Sequence, residues 1–196
     1  MELVVYGSFN CPYSYLASLR ADRLAQLAKA RVDWRAVVHD ADVPPGGKLV
    51  TGDMADMFDR ELEEIRCLLT PGEEFPASRP VVQPNTTAAV AGYSAVEPDQ
   101  AARLRQRLFS GMWADGVDIG DRSVLDRLGC PRVDPGGQMR EWDAEWKSMD
   151  RRLVPMMVLP HGEVSRGLGA LARLAEMLGS TVAVPEAGET DSARPR

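Results

Sequence analysis

Basic runs are missing from this chain. Lysine and arginine never cluster, and the formal net charge is −6 over 196 residues. A polyanion would find no positive stripe to grip, which argues against nucleic acid as a partner. Long apolar runs are missing too. None approaches the ~18 residues a membrane-spanning helix needs, so no membrane segment is expected. No basic stretch followed by an apolar one precedes the first strand pattern, so no secretory leader is expected. Cysteine and histidine are scarce, at three and two residues. Their spacing fits no metal-ligand pattern, so no metal site is expected. So few cysteines without a leader fit a reducing, cytoplasmic location where thiols stay free or pair transiently.

The chain that remains has 44% hydrophobic and 27% charged residues, ordinary for a folded domain with a sizeable core. Residues 2–6 form a short apolar run that predicts a buried strand. From Pro12 to about Ala30, Leu16, Leu19, Leu24 and Leu27 fall on one helical face, with Arg20, Arg23 and Lys29 on the other. Residues 32–38 alternate and then turn apolar, predicting a second strand. Strand, helix and strand within forty residues make a βαβ unit, normally right-handed and parallel.

After the break at Pro44-Pro45-Gly46-Gly47 the pattern turns helical. Helices are expected over 53–69, 87–96, 99–114, 121–128 and 138–149. Asn85 or Thr86 suits the cap of the second. Strand character returns at Pro155-Met156-Met157-Val158-Leu159, turns at Pro160-His161-Gly162, and leads through Glu163-Val164-Ser165 to a helix over 169–178. The expected organisation is therefore α/β. Residues 1–50 and 150–182 make one discontinuous domain, 51–149 an all-helical insertion, and 183–196 a loose tail.

Cys11 stands between the first strand and the first helix. Free N–H groups and the positive end of the helix dipole favour an anion there and lower a thiol's pKa. Pro12 fits the first helical turn, where its missing N–H costs nothing. Cys11 is therefore the candidate nucleophile. Cys67, near the end of a helix, is expected in the core, and Cys130 sits in a Gly-Cys-Pro turn. Either could resolve a Cys11 adduct. Met54, Met57, Met112, Met139, Met149, Met156 and Met157 either fill the core or line an adaptable apolar pocket with Trp113, Trp142 and Trp146. Neither His39 at a strand end nor His161 in a turn is placed as a catalytic base.

A strand followed by Cys-Pro at a helix start resembles the thioredoxin fold, and a helical block between βαβ and ββα parts is similar to its DsbA-like branch. The run Cys11-Pro12-Tyr13-Ser14-Tyr15-Leu16-Ala17 most resembles the group of 2-hydroxychromene-2-carboxylate isomerases and kappa-class glutathione transferases. Pro84-Asn85-Thr86, Gly116-Val117-Asp118-Ile119 and Val154-Pro155 fit the same group. The resemblance spans roughly residues 2–178. It implies a catalytic role for Cys11 and Ser14. It also implies ligand contacts from Pro12, Asn85, Val154 and Pro155, with Pro155 cis beside Cys11, although a trans strand-start proline fits the sequence as well.

Two departures matter. Dithiol members carry a second cysteine where this chain has Ser14, so a disulfide within the motif cannot form. The isomerase and transferase group follows its last hairpin with Gly-x-Asp-Arg-Leu, and this chain has Gly167-Leu168-Gly169-Ala170-Leu171. The polar pair that helps hold glutathione is gone. The implied cofactor is thus a low-molecular-weight thiol, glutathione or another. The implied partners are a small thiol or an aromatic or conjugated compound. Three activities stay open: a single-cysteine oxidoreductase or transferase, a thiol-dependent isomerase, and a binding module without turnover. The oligomeric state stays open, a homodimer being one option.

Overall fold

In the computed structural model, which describes residues 1–179, a four-stranded mixed sheet carries the chain. Strand β1 (Glu2–Gly7) lies inside the sheet. It pairs in parallel with β2 (Arg31–Ala36), Val5 opposite Trp34. On its other side it pairs antiparallel with β5 (Met156–Val158), Val5 opposite Met157, and β5 pairs with β6 (Val164–Arg166). The order is β2-β1-β5-β6. Between β1 and β2 runs α1 (Pro12–Gln26), and α7 (Leu168–Leu178) follows β6 and packs on α1. The expected βαβ and ββα halves are both present and share one sheet.

Between the halves come α2 (Asp53–Cys67), α3 (Thr87–Ser94), α4 (Pro98–Trp113), α5 (Arg122–Arg127) and α6 (Gly137–Ser148). This stretch is not wholly helical, contrary to expectation. β3 (Lys48–Leu49) pairs antiparallel with β4 (Val82–Gln83). Strands of two residues are too short to show an alternating pattern. The segment 183–196, expected to be a loose tail, lies outside the described residues.

The sheet has two unequal faces. Leu3, Val5, Trp34 and Met157 join the large core beneath α1 and α7 and the helical stretch, while Tyr6, Val37 and Met156 form a smaller cluster with Trp146. The approach at the end of β1 demands glycine. A Cβ on Gly7 would stand 2.2 Å from Cζ2 of Trp34, so the indole lies directly over the backbone that leads to Cys11.

Two arginines are buried against expectation or beyond it. Arg20, placed by periodicity on the polar face of α1, is 1% exposed. Its Nε donates to Glu73 at 2.7 Å, and Nη1 and Nη2 donate to the carbonyls of Leu171 and Leu68, each at 2.8 Å. Periodicity detects an arginine but not the carboxylate and carbonyls that make its burial tolerable. Arg105 on α4 pairs with Asp22 of α1, donates to Ser18 Oγ at 2.9 Å, and lies 4.9 Å from the Trp34 ring. Both arginines lock α1 in place, and Cys11 is the residue that caps its start.

Candidate functional site

The loop before α1 is held from three sides. Ser14, fully buried, accepts the backbone N–H of Ser8 on its Oγ at 3.2 Å. Trp113 donates Nε1–H to the carbonyl of Phe9 at 2.9 Å. Asn10 donates Nδ2–H to the carbonyl of Pro84 at 3.0 Å. Cys11 is the N-cap residue of α1, with Pro12 in the first turn, and Tyr15 N–H closes the first helical turn onto the Cys11 carbonyl at 3.2 Å.

Across the loop stands the segment before β5. The Val154–Pro155 peptide is cis. Cys11 Sγ–H donates to the Val154 carbonyl at 3.7 Å, and the Pro155 carbonyl accepts from Gly167 N–H at 2.8 Å. Residues far apart in sequence, Cys11 and Val154, thus meet at one cleft of about 340 Å³. Pro12, Tyr13 and Val154 line it, while Pro155 is buried behind. Ser14 acts from beneath, through the loop and the sulfur.

Asn85 does not line this cleft. It borders a separate concavity with Pro45, Thr87 and Arg122. Its Oδ1 accepts Thr87 N–H at 3.1 Å and its Nδ2 donates to the Val43 carbonyl at 2.6 Å. Those bonds cap α3 and tie it to the loop after β2, so Asn85 has a structural occupation. The neighbouring Gln83 lines the Cys11 cleft in its stead.

Of the remaining walls, only Met57 is among the pocket candidates read from the sequence. Met57, Phe58 and Glu61 come from α2, His39 and Asp40 from the segment after β2, and Leu153 and Leu168 from either side of the β5–β6 hairpin. His39 Nδ1 lies 3.0 Å from Asp40 Oδ1, and Gln83 Nε2 donates to Asp40 Oδ2 at 3.1 Å. The bond to Asp40 raises the His39 pKa against the opposing effect of burial. Burial, with the Glu64 and Asp40 charges, raises that of Glu61. Tyr13 donates to Glu64. The one available signal was the spacing of Met57, Glu61 and Glu64 along a single stripe of α2.

The thiol itself corrects the expectation of a preformed thiolate. Burial pushes Cys11 up to about 11, although hydrogen bonds from the Ser14 side chain and from the Ser14 and Tyr13 backbone pull the other way; the Glu61 charge adds to the rise. The helix N-terminus does what its dipole dictates, but desolvation of the sulfur outweighs it. Cys11 is a protonated donor to Val154 at neutral pH.

The other cysteines sit elsewhere. Cys67 is exposed, not in the core. The buried face of α2 carries Ala55, Phe58, Leu62 and Ile65, and two residues beyond Ile65 the helix has turned roughly 200°. Cys130 is buried, its Sγ–H donating to the Ala89 carbonyl at 3.8 Å. It packs so closely that a Cβ on Gly92 would lie 2.3 Å from its sulfur. None of the tryptophans expected around a pocket lines this cleft. Trp113 is a core anchor, Trp142 lies tilted against Tyr93 beside a separate concavity, and Trp146 backs the small cluster. Met57 is the one methionine in the cleft wall.

A larger concavity, about 600 Å³, runs along β2 past Trp34, Tyr93, Arg105 and Trp142. It carries no cysteine, the hydroxyl of its Ser94 is bonded to the Ala91 carbonyl, and its buried arginine, Arg105, is already paired with Asp22. Chemistry, not size, singles out the Cys11 cleft. Among the described residues no group of His, Cys, Asp and Glu is placed to hold a metal ion, and no helix is long and apolar enough to cross a membrane.

The profile of the DSBA-like thioredoxin domain matches residues 2–129. The chain belongs to that family. Solved structures extend the likeness over the whole thioredoxin-like DsbA fold. A 2-hydroxychromene-2-carboxylate isomerase is 22% identical with a TM-score of 0.64, covering 91% of this chain and 95% of its own. A DsbA-type chain from Streptomyces coelicolor is 16% identical with a TM-score of 0.67 and covers 100% of both chains. The cytosolic disulfide reductase DsbM from Pseudomonas aeruginosa, with GSH, is 17% identical with a TM-score of 0.59, covering 91% of this chain and 96% of its own. No curated protein sequence matches. At these identities the structural likeness speaks to the fold.

Proposed function

We propose that this DsbA-family chain is a thiol-dependent oxidoreductase or transferase that works through one cysteine, Cys11. The observation that carries this reading is the position of Cys11. Its sulfur lies at the start of α1, opens on a cleft of about 340 Å³, and faces the Val154 carbonyl at 3.7 Å. Ser14 stands where a resolving thiol would be, and its hydroxyl is committed to Ser8 N–H. Cys67 is exposed away from the buried face of α2, and Cys130 is packed in the core. The second thiol therefore comes from solution.

The cycle follows. Cys11 loses its proton to solvent, and the thiolate attacks one sulfur of a small disulfide. A new S–S bond to Cys11 forms, the old S–S bond breaks, and the leaving thiolate takes up a proton. A second small thiol then attacks the mixed disulfide and releases Cys11. The co-substrate is a low-molecular-weight thiol, and the setting a reducing compartment such as the cytoplasm.

A second reading rests on the protonated state of Cys11 and on the apolar walls of Met57, Phe58, Leu153 and Leu168. There Cys11 donates a hydrogen bond to a bound thiol cofactor or to a conjugated carbonyl compound, and the enzyme isomerises it. One pair of assays separates the two. Turnover of a small disulfide that disappears in Cys11→Ala, with a mixed disulfide at Cys11 detected by mass spectrometry, supports the first. Conversion of a hydroxychromene carboxylate that survives Cys11→Ser supports the second. Binding of a thiol without turnover of either would leave a binding module.

A further inference from the structure

The charge around Cys11 is one-sided. Apart from His39, which is bonded to Asp40, no basic side chain lines the cleft, whereas Glu61 and Asp40 both line it. These carboxylates are not equivalent. Asp40 is engaged by His39 and Gln83, and the nearby Glu64 accepts the Tyr13 hydroxyl. Glu61 is half-buried, and the charges that act on it are two more carboxylates, Glu64 and Asp40. A half-buried anion facing only like charges is a place where a cation gains most.

A second observation points the same way. Asn10, 4% exposed, lines the same cleft. Its Nδ2 is spent on Pro84, which fixes the amide orientation and leaves Oδ1 buried without a donor. A buried acceptor without a donor costs roughly 1–3 kcal/mol. The wall of the cleft thus holds an unmet acceptor and an unneutralised carboxylate, and what both lack is an N–H-bearing cation.

We propose that the Cys11 cleft selects a low-molecular-weight thiol or disulfide that carries a protonated amine, with Glu61 as its counter-ion and Asn10 Oδ1 as a hydrogen-bond acceptor. This rests on the thiol-exchange reading of Cys11 and names its substrate class. A thiol rich in carboxylates meets the wrong charge, in keeping with Gly169 and Ala170 where the polar pair of glutathione-binding relatives would be. The docked amine also acts on the sulfur. Glu61 opposes ionisation of Cys11, and a cation against Glu61 removes that opposition when the disulfide arrives. Cys11 then ionises in the loaded cleft and attacks, with the bonds made and broken as above.

The test is a set of second-order rate constants for mixed-disulfide formation at Cys11. The full chain carries Cys67→Ser so that the exposed thiol does not compete. Three probes are compared at neutral pH: cystamine with two ammonium groups, 2-hydroxyethyl disulfide with none, and 3,3′-dithiodipropionate with two carboxylates. Each rate is divided by that of the same probe with a free small thiol. The expected normalised preference for cystamine over dithiodipropionate is about tenfold or more, as one charge contact at a protein surface allows. Glu61→Gln should bring it to near unity. In the unchanged Glu61 protein, near-molar salt should shrink the preference as well, because the Debye length falls to about 3 Å. Equal normalised rates, or a preference for the dianion, overturn the amine selectivity and leave the thiol-exchange reading standing. No adduct at Cys11 with any of the three overturns both.

Discussion

Trp113 and Phe9 are joined by a buried hydrogen bond of 2.9 Å from the indole Nε1–H to the backbone carbonyl two residues before Cys11. This contact couples α4, in the inserted stretch, to the loop that presents the thiol. Trp113→Phe keeps most of the apolar contact with Phe58 and leaves the Phe9 carbonyl without its donor. The expected loss is about 1–3 kcal/mol of stability, read as a lower urea midpoint at unchanged slope. The alkylation rate of Cys11 should change as well, whereas that of the exposed Cys67 should not.

Ser14→Ala removes the acceptor of Ser8 N–H and a hydrogen bond that favours the Cys11 thiolate. Since that bond pulls the thiol pKa down, its loss raises it further. At any fixed pH below the pKa the variant should alkylate more slowly than the parent. A pH series with iodoacetamide, followed by mass spectrometry at Cys11, checks this. An unchanged rate would mean that Ser14 contributes nothing to the sulfur.

The pH profile of the parent is itself diagnostic. With the thiol pushed up to about 11, the thiolate fraction rises about tenfold per pH unit throughout the neutral range. Alkylation of Cys11 in the Cys67→Ser background should climb from neutral to alkaline pH without a plateau. Glu61→Gln removes a like charge, lowers the pKa and shifts the profile to lower pH. A plateau near neutrality would show a preformed thiolate.

Little of this electrostatic setting was legible in the chain. Cys11-Pro12-Tyr13-Ser14 could be read because strand, loop and helix start are consecutive. A dipole argument needs only that local order. Desolvation depends on what covers the sulfur, and the cover comes from α2, β4 and the segment before β5. Glu61, His39 and Asp40 escape a local reading for the same reason, as two segments far apart in sequence, α2 and the stretch after β2, bring them together. Cys67 was misplaced because one residue of helical phase separates a core position from a solvent position. Asn85 fits the family pattern, but its amide is used up on Thr87 N–H at the start of α3 and on the Val43 carbonyl. The βαβ unit and the final hairpin, by contrast, were legible in the apolar runs and the turn residues, because those elements bury their faces by short-period rules, whereas the antiparallel pairing of β1 with β5 joins residues roughly 150 apart and leaves no local signal.

The Arg20–Glu73 pair offers a test of stability against pH. Partial burial alone would push the Glu73 carboxyl up, yet hydrogen bonds from Arg20 and from Thr70 N–H overcome it, and the net shift is downward. A carboxyl depressed in the folded state stabilises it above the unfolded pKa, and that contribution fades as pH falls through the folded value. Glu73→Ala leaves Arg20 buried without its counter-ion and should cost roughly 3 kcal/mol near neutrality, the lower end for breaking a buried pair. The difference between parent and variant should begin to narrow as the pH falls past the unfolded carboxyl value of about 4.3, and close only below the lower folded value, where Glu73 is protonated in both states of the parent. Urea melts at several pH values measure it, and a difference constant with pH would count against the pairing.

The hydroxyl that braces the loop at Ser14 has a lasting consequence. In a two-cysteine motif the brace and the reagent are the same atoms, so each turnover makes and breaks a bond within the loop itself. Here the brace is an alcohol that disulfides do not oxidise, and it keeps its hold on Ser8 whatever is attached to Cys11. No disulfide can close within the loop, so any covalent change during exchange is confined to the Cys11 sulfur while the backbone hold at Ser8 stays as it is.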